Sequence, residues 1–149
     1  MVLRVDHNKV PFKKLWETKG HQRDFNGRPH IGALQYSILL SNGDVMSSYH
    51  CYGDTTGDNC EFIKWDSKGN LLSMMLVLGG GHAGAFWYSE DTNLIYTQVR
   101  DANSGKYYLG TLDYLPNKKV DINSLDKWCQ VSHYYRVSID TTYKDYWIG

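Results

Sequence analysis

The sequence predicts an all-β fold assembled from propeller-like blades, and three observations predict it. Short β-rich runs alternate with turn clusters such as Ser41-Asn42-Gly43-Asp44, Asp66-Ser67-Lys68-Gly69-Asn70 and Leu115-Pro116-Asn117-Lys118. Long segments with apolar residues at helical spacing are missing. The chain also repeats itself at a spacing of about 50 residues, within the range of four-stranded propeller blades.

The repeat is carried by His30-Ile31-Gly32-Ala33-Leu34-Gln35-Tyr36-Ser37 and His82-Ala83-Gly84-Ala85-Phe86-Trp87-Tyr88-Ser89, which share His-x-Gly-Ala-apolar-x-Tyr-Ser. A weaker third copy runs from His133 to Asp140. Each copy opens a blade as strand A, and a polar turn leads to strand B: Val45 to Tyr49, Leu94 to Val99, and Asp145 to Ile148. Strand C ends in apolar-Asp at Trp65-Asp66 and Leu112-Asp113, with a further instance at Val5-Asp6. Its hairpin partner, strand D, is predicted at Leu71 to Val77, Lys119 to Ile122, and Val10 to Trp16. One helical turn is allowed, near Ile122 to Trp128. Two blades are thus whole, and a third is divided between the two ends of the sequence. Because propellers typically have about 4 to 8 blades, the expectation is a six-bladed ring closed by a homodimer, the commonest closed assembly. The rival expectation is that the chain is a fragment of a longer propeller.

At 149 residues the chain is expected to form one domain, residues 1–149. The balance of 16 Lys+Arg against 16 Asp+Glu lacks the electrostatic footprint of a nucleic-acid binder. The opening residues carry charge too early for a signal peptide, and no apolar run reaches membrane-spanning length, so a soluble chain without membrane insertion is expected. Cys51, Cys60 and Cys129 are an odd set, which argues against a disulfide framework; one bridge between Cys51 and Cys60, which flank a single loop, stays open.

The segment Gly69 to Gly84, with its Met74-Met75 strand and Gly79-Gly80-Gly81-His82, resembles the propeller domains of phage tail receptor-binding proteins, the helveticin J bacteriocin group and the teichoic-acid biosynthesis protein C group. Blades of that family likewise have an apolar-Asp turn with Gly, a Met-containing strand and Gly-Gly-His-Gly before the next inner strand. The resemblance spans residues 30–149 and implies attachment to cell-surface glycan or wall polymer, in a virion-associated or extracellular setting. It implies no catalytic residues. The chain departs from the family in holding less than a whole propeller, and in placing Ala83 between His82 and Gly84.

On a propeller the connections from D to A and from B to C open on one face. His30, His82 and His133 then occupy equivalent places near the channel mouth. A neutral imidazole binds metals and a charged one binds phosphate; the plainer and favoured reading is that each histidine fixes its turn by bonding to a neighbouring blade. The loop Tyr52-Gly53-Asp54-Thr55-Thr56-Gly57-Asp58-Asn59 could present oxygens to a divalent cation or to sugar hydroxyls, although it lacks the EF-hand spacing and its residues are ordinary turn formers. Arg100, Asp101 and Asn103 form a similar loop in the next unit, and Arg28 completes the candidate ligand-binding set. Gly79-Gly80-Gly81 lacks the Lys-Ser or Lys-Thr of a phosphate loop; positive φ and close backbone approach explain it better. Trp16, Trp65, Trp87, Trp128 and Trp147 are expected between blades rather than on sugars. No cofactor is expected, and no triad, zinc spacing or carboxylate pair can be assigned.

Three functions follow. A non-enzymatic binding module for glycan or wall polymer leads; a polysaccharide hydrolase or lyase and a structural assembly subunit are the alternatives.

Overall fold

The computed structural model describes residues 24–28, 32–51, 59–101, 104–124, 126–131, 137–140 and 145–148. They form eleven strands and one 3₁₀ turn, in the order β1 (Gly32–Leu39), β2 (Val45–Cys51), β3 (Asn59–Trp65), β4 (Leu71–Leu78), β5 (Phe86–Ser89), β6 (Leu94–Arg100), β7 (Tyr107–Asp113), β8 (Lys119–Asp121), the turn Ile122–Ser124, β9 (Asp126–Val131), β10 (Val137–Asp140) and β11 (Asp145–Ile148). The chain is all-β, as its turn spacing predicts. The N-terminal strands expected at Val5-Asp6 and at Val10 to Trp16 lie outside the described residues.

Sheet I has the order β1-β2-β3-β4-β8, sheet II has the order β5-β6-β7-β9, and β10 pairs with β11; neither sheet closes on itself. In both sheets the first four strands are antiparallel neighbours. The turns explain why. Between β1 and β2, Leu40 N–H bonds Asp44 O at 2.8 Å and Gly43 N–H bonds Leu40 O at 3.0 Å, with Gly43 at φ 86°. Between β3 and β4, the Asp66 carboxylate accepts the N–H groups of Lys68 and Asn70, both at 2.8 Å. Asp and Asn satisfy their own turn backbone, and glycine supplies the left-handed residue, so these clusters reverse the chain tightly.

Strands β2 and β3 are buried on both faces. One face of sheet I presents Met46, Cys60, Phe62, Met75 and Val77 to Phe86, Tyr88, Ile95, Leu112 and Tyr114, forming the larger core. Phe62 meets Phe86 edge to face at 5.1 Å. At the rim of this core Lys64 Nζ lies 4.7 Å from the Tyr88 ring and donates to Tyr88 Oη at 3.3 Å. Ser73 and Tyr114 hydroxyls bond at 2.8 Å across the same boundary. The opposite face of sheet I carries a second core of Val45, Tyr49, Ile63 and Trp65. Strand β10 runs beside β5 and β6 of sheet II.

Two expectations are corrected here. Lys119 to Ile122 is not the fourth strand of the second unit: β8 pairs in parallel with β4 of sheet I, matching Leu76 with Lys119 and Val77 with Val120. The segment from Tyr114 reaches back to sheet I through Asn117 N–H to Met74 O at 2.8 Å and Leu76 N–H to Lys118 O at 3.0 Å. The fourth strand is β9 instead, antiparallel to β7. The helical turn expected over Ile122 to Trp128 is limited to Ile122–Ser124, and Asp126 to Trp128 are strand.

Cys51 and Cys60 are free thiols, which removes the possible bridge. Register is the cause. Cys60 pairs with His50 and Cys51 with Asn59, so the two cysteines are offset by one position and point to opposite faces of the sheet. No helix among the described residues is long and apolar enough to cross a membrane.

Candidate functional site

The ends of β2, β4 and β6 and the starts of β3, β5 and β7 lie at one end of the two sheets, as the antiparallel pairings require. That end holds the best-defined surface feature among the candidate residues, the connection Gly79–Ala85 that carries His82.

The connection is held by side chains from three strands. Asn59 Oδ1 accepts Gly79 N–H at 3.0 Å, Ser48 Oγ donates to Ala83 O at 2.8 Å, and Thr97 Oγ1 donates to Ala85 O at 3.0 Å. Gly79 and Gly81 have φ 72° and 65°, the left-handed region that side chains disfavour. At Gly80 the reason is contact, since a Cβ would collide with the Cys60 sulfur and stand 3.2 Å from Val77. Ala83 also takes a left-handed φ of 45°. The reading of the three glycines as conformational residues is therefore correct.

His82 stands exposed on this connection, and its ring stacks on that of His50 at 4.0 Å and 8°. His50 is 4% exposed, at the end of β2 and opposite Cys60. The expected role of His82 in fixing its turn by bonding a neighbouring blade is filled otherwise: Ser48, Asn59 and Thr97 hold the turn, and the imidazole rests on a second imidazole of sheet I. Sequence reasoning missed His50. It has no counterpart in the repeat, and only the fold brings the end of β2 under the connection from β4 to β5.

Of the other candidates, Arg28 lies in a turn whose Phe25 N–H donates to Glu61 Oε1 at 2.7 Å, which places it near the start of β3. Its guanidinium pairs with Asp24 through Nη2 at 2.8 Å and Nε at 2.9 Å. Burial pushes the Asp24 carboxyl up, but the hydrogen bonds and charge of Arg28, with the N–H of Asn26, outweigh it and hold the carboxyl below its usual range. Asp101 closes the β6–β7 turn: its N–H bonds Lys106 O at 2.8 Å, and its carboxylate accepts Ser104 Oγ at 2.8 Å. Arg100 is the last residue of β6. His30, Tyr52, Asp54, Asp58, Asn103 and His133 lie outside the described residues, so the expected histidine equivalence is represented by His82 alone.

The thiols nearby are held neutral. Burial, with the charge of Glu61, pushes both Cys60 and Cys51 well above the ordinary thiol range, and Cys51 is raised further by its hydrogen bond to Glu61. Neither is suited to nucleophilic attack. Among the described residues no three His, Cys, Asp or Glu side chains gather to hold a metal ion. Trp65 is buried in the second core, and Trp87 is half-buried in β5; Trp128 and Trp147 fall in β9 and β11, and Trp16 is outside the described residues. This end of the sheets holds an exposed imidazole stacked on His50, with the Asp101 carboxylate and the Arg28–Asp24 pair on other connections; imidazole, carboxylate and guanidinium groups all hydrogen-bond hydroxyls.

No family model and no curated protein matches the chain.

Proposed function

We propose that the chain is a non-enzymatic binding module for a cell-surface carbohydrate or wall polymer, its sheets serving as blades of a propeller ring completed by a second copy. The observation that carries the reading is the presentation of His82: an exposed imidazole on a connection anchored by Asn59, Ser48 and Thr97, at the end of the sheets where the other candidate loops emerge. Binding residues concentrate on loops held by a rigid scaffold. The packing of two units with four antiparallel strands each on one another, with a hairpin beside the second, together with the repeat of about 50 residues, supports the blade reading. The resemblance of Gly69 to Gly84 to phage receptor-binding and bacteriocin propellers supports the ligand class. Individually weak sites gain strength by repetition on such a ring.

Pull-down with intact Gram-positive cells and with purified wall polysaccharide tests this. Saturable binding that falls at least about tenfold in His82→Ala, about 1.4 kcal/mol, with unchanged thermal unfolding is the expected result. Absence of binding to both probes, or release of reducing ends from the polysaccharide, would overturn it.

A further inference from the structure

The excursion that breaks the repeat also frames a cavity. In sheet I the fourth strand follows the third after the turn at residues 66–70, whereas in sheet II residues 114–125 intervene between β7 and β9, and the chain passes through β8 on sheet I before it returns. At the end of sheet II remote from His82, a cavity of about 290 Å³ opens beside this excursion. Its walls are Leu94 at the start of β6, residues 111–113 at the end of β7, Leu115 and Val120 on the excursion, and Asp126 at the start of β9. We propose that it is a binding site for one uncharged sugar ring, held through its hydroxyls by Asp113, Asp126 and Thr111.

Strand pairing brings the polar groups together. Thr111 pairs with Asp126 and Leu94 with Asp113; residues two apart on a strand share a face, so all four side chains rise from one side of sheet II. This is the side away from the larger core, because Ile95 and Leu112, their neighbours in sequence, face sheet I. Asp113 and Asp126 are diagonal neighbours, about 7–8 Å apart, a spacing at which each carboxylate reaches a different hydroxyl of one ring.

Thr111 is the unusual group. It is 6% exposed, and among the described residues its hydroxyl has no partner. The other buried serine and threonine hydroxyls are bonded: Ser47 to Ser37 at 2.9 Å, Ser48 to Ala83 O at 2.8 Å and Thr97 to Ala85 O at 3.0 Å. A buried hydroxyl left open beside a cavity is ready for a hydrogen bond from outside the chain. The carboxylates of Asp113 and Asp126 are likewise neither bonded nor ion-paired among the described residues.

The lining decides the class of ligand. It holds no Lys or Arg, so its two carboxylates repel phosphate and acidic groups. Calcium is poorly served, since that ion takes about 6–8 oxygens and the walls away from Thr111, Asp113 and Asp126 are aliphatic. A sugar ring matches both parts, giving hydroxyl protons to the carboxylates, an oxygen to the Thr111 hydroxyl and a C–H face to Leu94, Leu115 and Val120. The volume lies at the lower end of ligand pockets, about 300–1,000 Å³, and suits a single ring. The site is separate from the His82 end and stands on its own observations.

Amide chemical shifts of the full chain, followed during titration with the methyl glycosides of glucose, galactose, mannose and N-acetylglucosamine, test the assignment. The expected result is saturable shifts at Thr111, Asp113 and Asp126 with at least one glycoside, weakened at least about tenfold in Asp113→Ala/Asp126→Ala and unchanged in His82→Ala. Thr111→Val, which keeps the shape and removes the hydroxyl, is expected to weaken binding by about threefold or more. Both aspartates are exposed, so the double variant is expected to unfold at the wild-type midpoint; should it unfold early, Asp126→Ala alone replaces it with a loss in the same direction. No shift with any of the four glycosides, shifts undiminished in the double variant, or a response to calcium chloride in place of the sugars overturns the assignment. Those failures leave the His82 reading standing, because the His82→Ala pull-down decides it separately.

Discussion

The two faces of sheet I are built from the same strands and end differently. The face towards sheet II is closed by Phe86, Tyr88, Ile95 and Leu112, and the segment Tyr114–Asp121 returns to pair β8 with β4 across the boundary. The other face buries Ile63 and Trp65 at its centre but leaves Leu34 and Leu39 mostly in water. The difference teaches that alternation along a strand decides which residues share a face, whereas the neighbour supplied by the rest of the chain decides whether that face becomes a core. Among the described residues, the next unit of the chain is the neighbour of one face of sheet I.

The comparison is broken most severely at its closed side. Phe62→Ala removes a fully buried ring from the boundary and is expected to cost about 3–5 kcal/mol, read as a shift in the urea midpoint. Leu39→Ala on the open side, measured on monomer, is expected to fall within about 0.5 kcal/mol. Equal losses at the two positions would contradict the asymmetry.

A second effect follows from pH. Cys60 and Tyr114 lie at the closed boundary; burial pushes the Cys60 thiol up and Tyr114 up to about 12, the latter opposed by the Ser73 hydrogen bond and reinforced by Tyr88. Cys51, on the other face, is raised as well. Groups raised in the folded state bind protons more tightly there, so their contribution is intact below the unfolded values and is lost as pH climbs above them. Stability is therefore expected to decline from about pH 8.5, by about 1.4 kcal/mol per thiol per pH unit, with Tyr114 joining from about pH 10. Denaturant titrations from pH 7 to pH 11 check this, and Cys60→Ala should flatten the slope. A flat profile would show that the thiols are hydrated.

Smaller losses sharpen the account of the connection and the returning strand. Gly80→Ala drives a methyl into the Cys60 sulfur and is expected to cost about 1–3 kcal/mol, with part recovered in Gly80→Ala/Cys60→Ala; no recovery would place the strain elsewhere. Val120→Asp in β8 sets a carboxylate at the half-buried edge of the larger core and is expected to cost about 1–2 kcal/mol. A neutral result would mean that β8 adds nothing to the boundary.

Much of this was legible in the sequence where local chemistry dictates structure. Asn42-Gly43, Asp66 to Asn70 and the shared His-x-Gly-Ala-apolar-x-Tyr-Ser place β2, β4 and β6 to within two residues and mark the ends of β3 and β7, whereas β1 and β5 begin two and four residues after the histidine of their repeat, because turn chemistry and period-two alternation act within a few positions. The returning strand was not legible. Lys119-Val120-Asp121 follows a turn just as a fourth strand should, and only three-dimensional pairing shows that its partner is β4; Asp126 to Val131 mixes charged, aromatic and polar residues and conceals the true fourth strand. The site was half legible. His82 and its glycines stand out by repetition, whereas His50 and the opposite directions of Cys51 and Cys60 depend on register, which sequence spacing leaves open.

Hydrogen exchange followed over a range of protein concentrations tests the asymmetry of sheet I most directly. Protection of β1, the edge strand that carries the exposed Leu34 and Leu39, should rise with concentration as copies associate, while protection of β2, β3, β4 and β8, already closed within one chain, stays constant. Exchange independent of concentration in every strand would contradict the account.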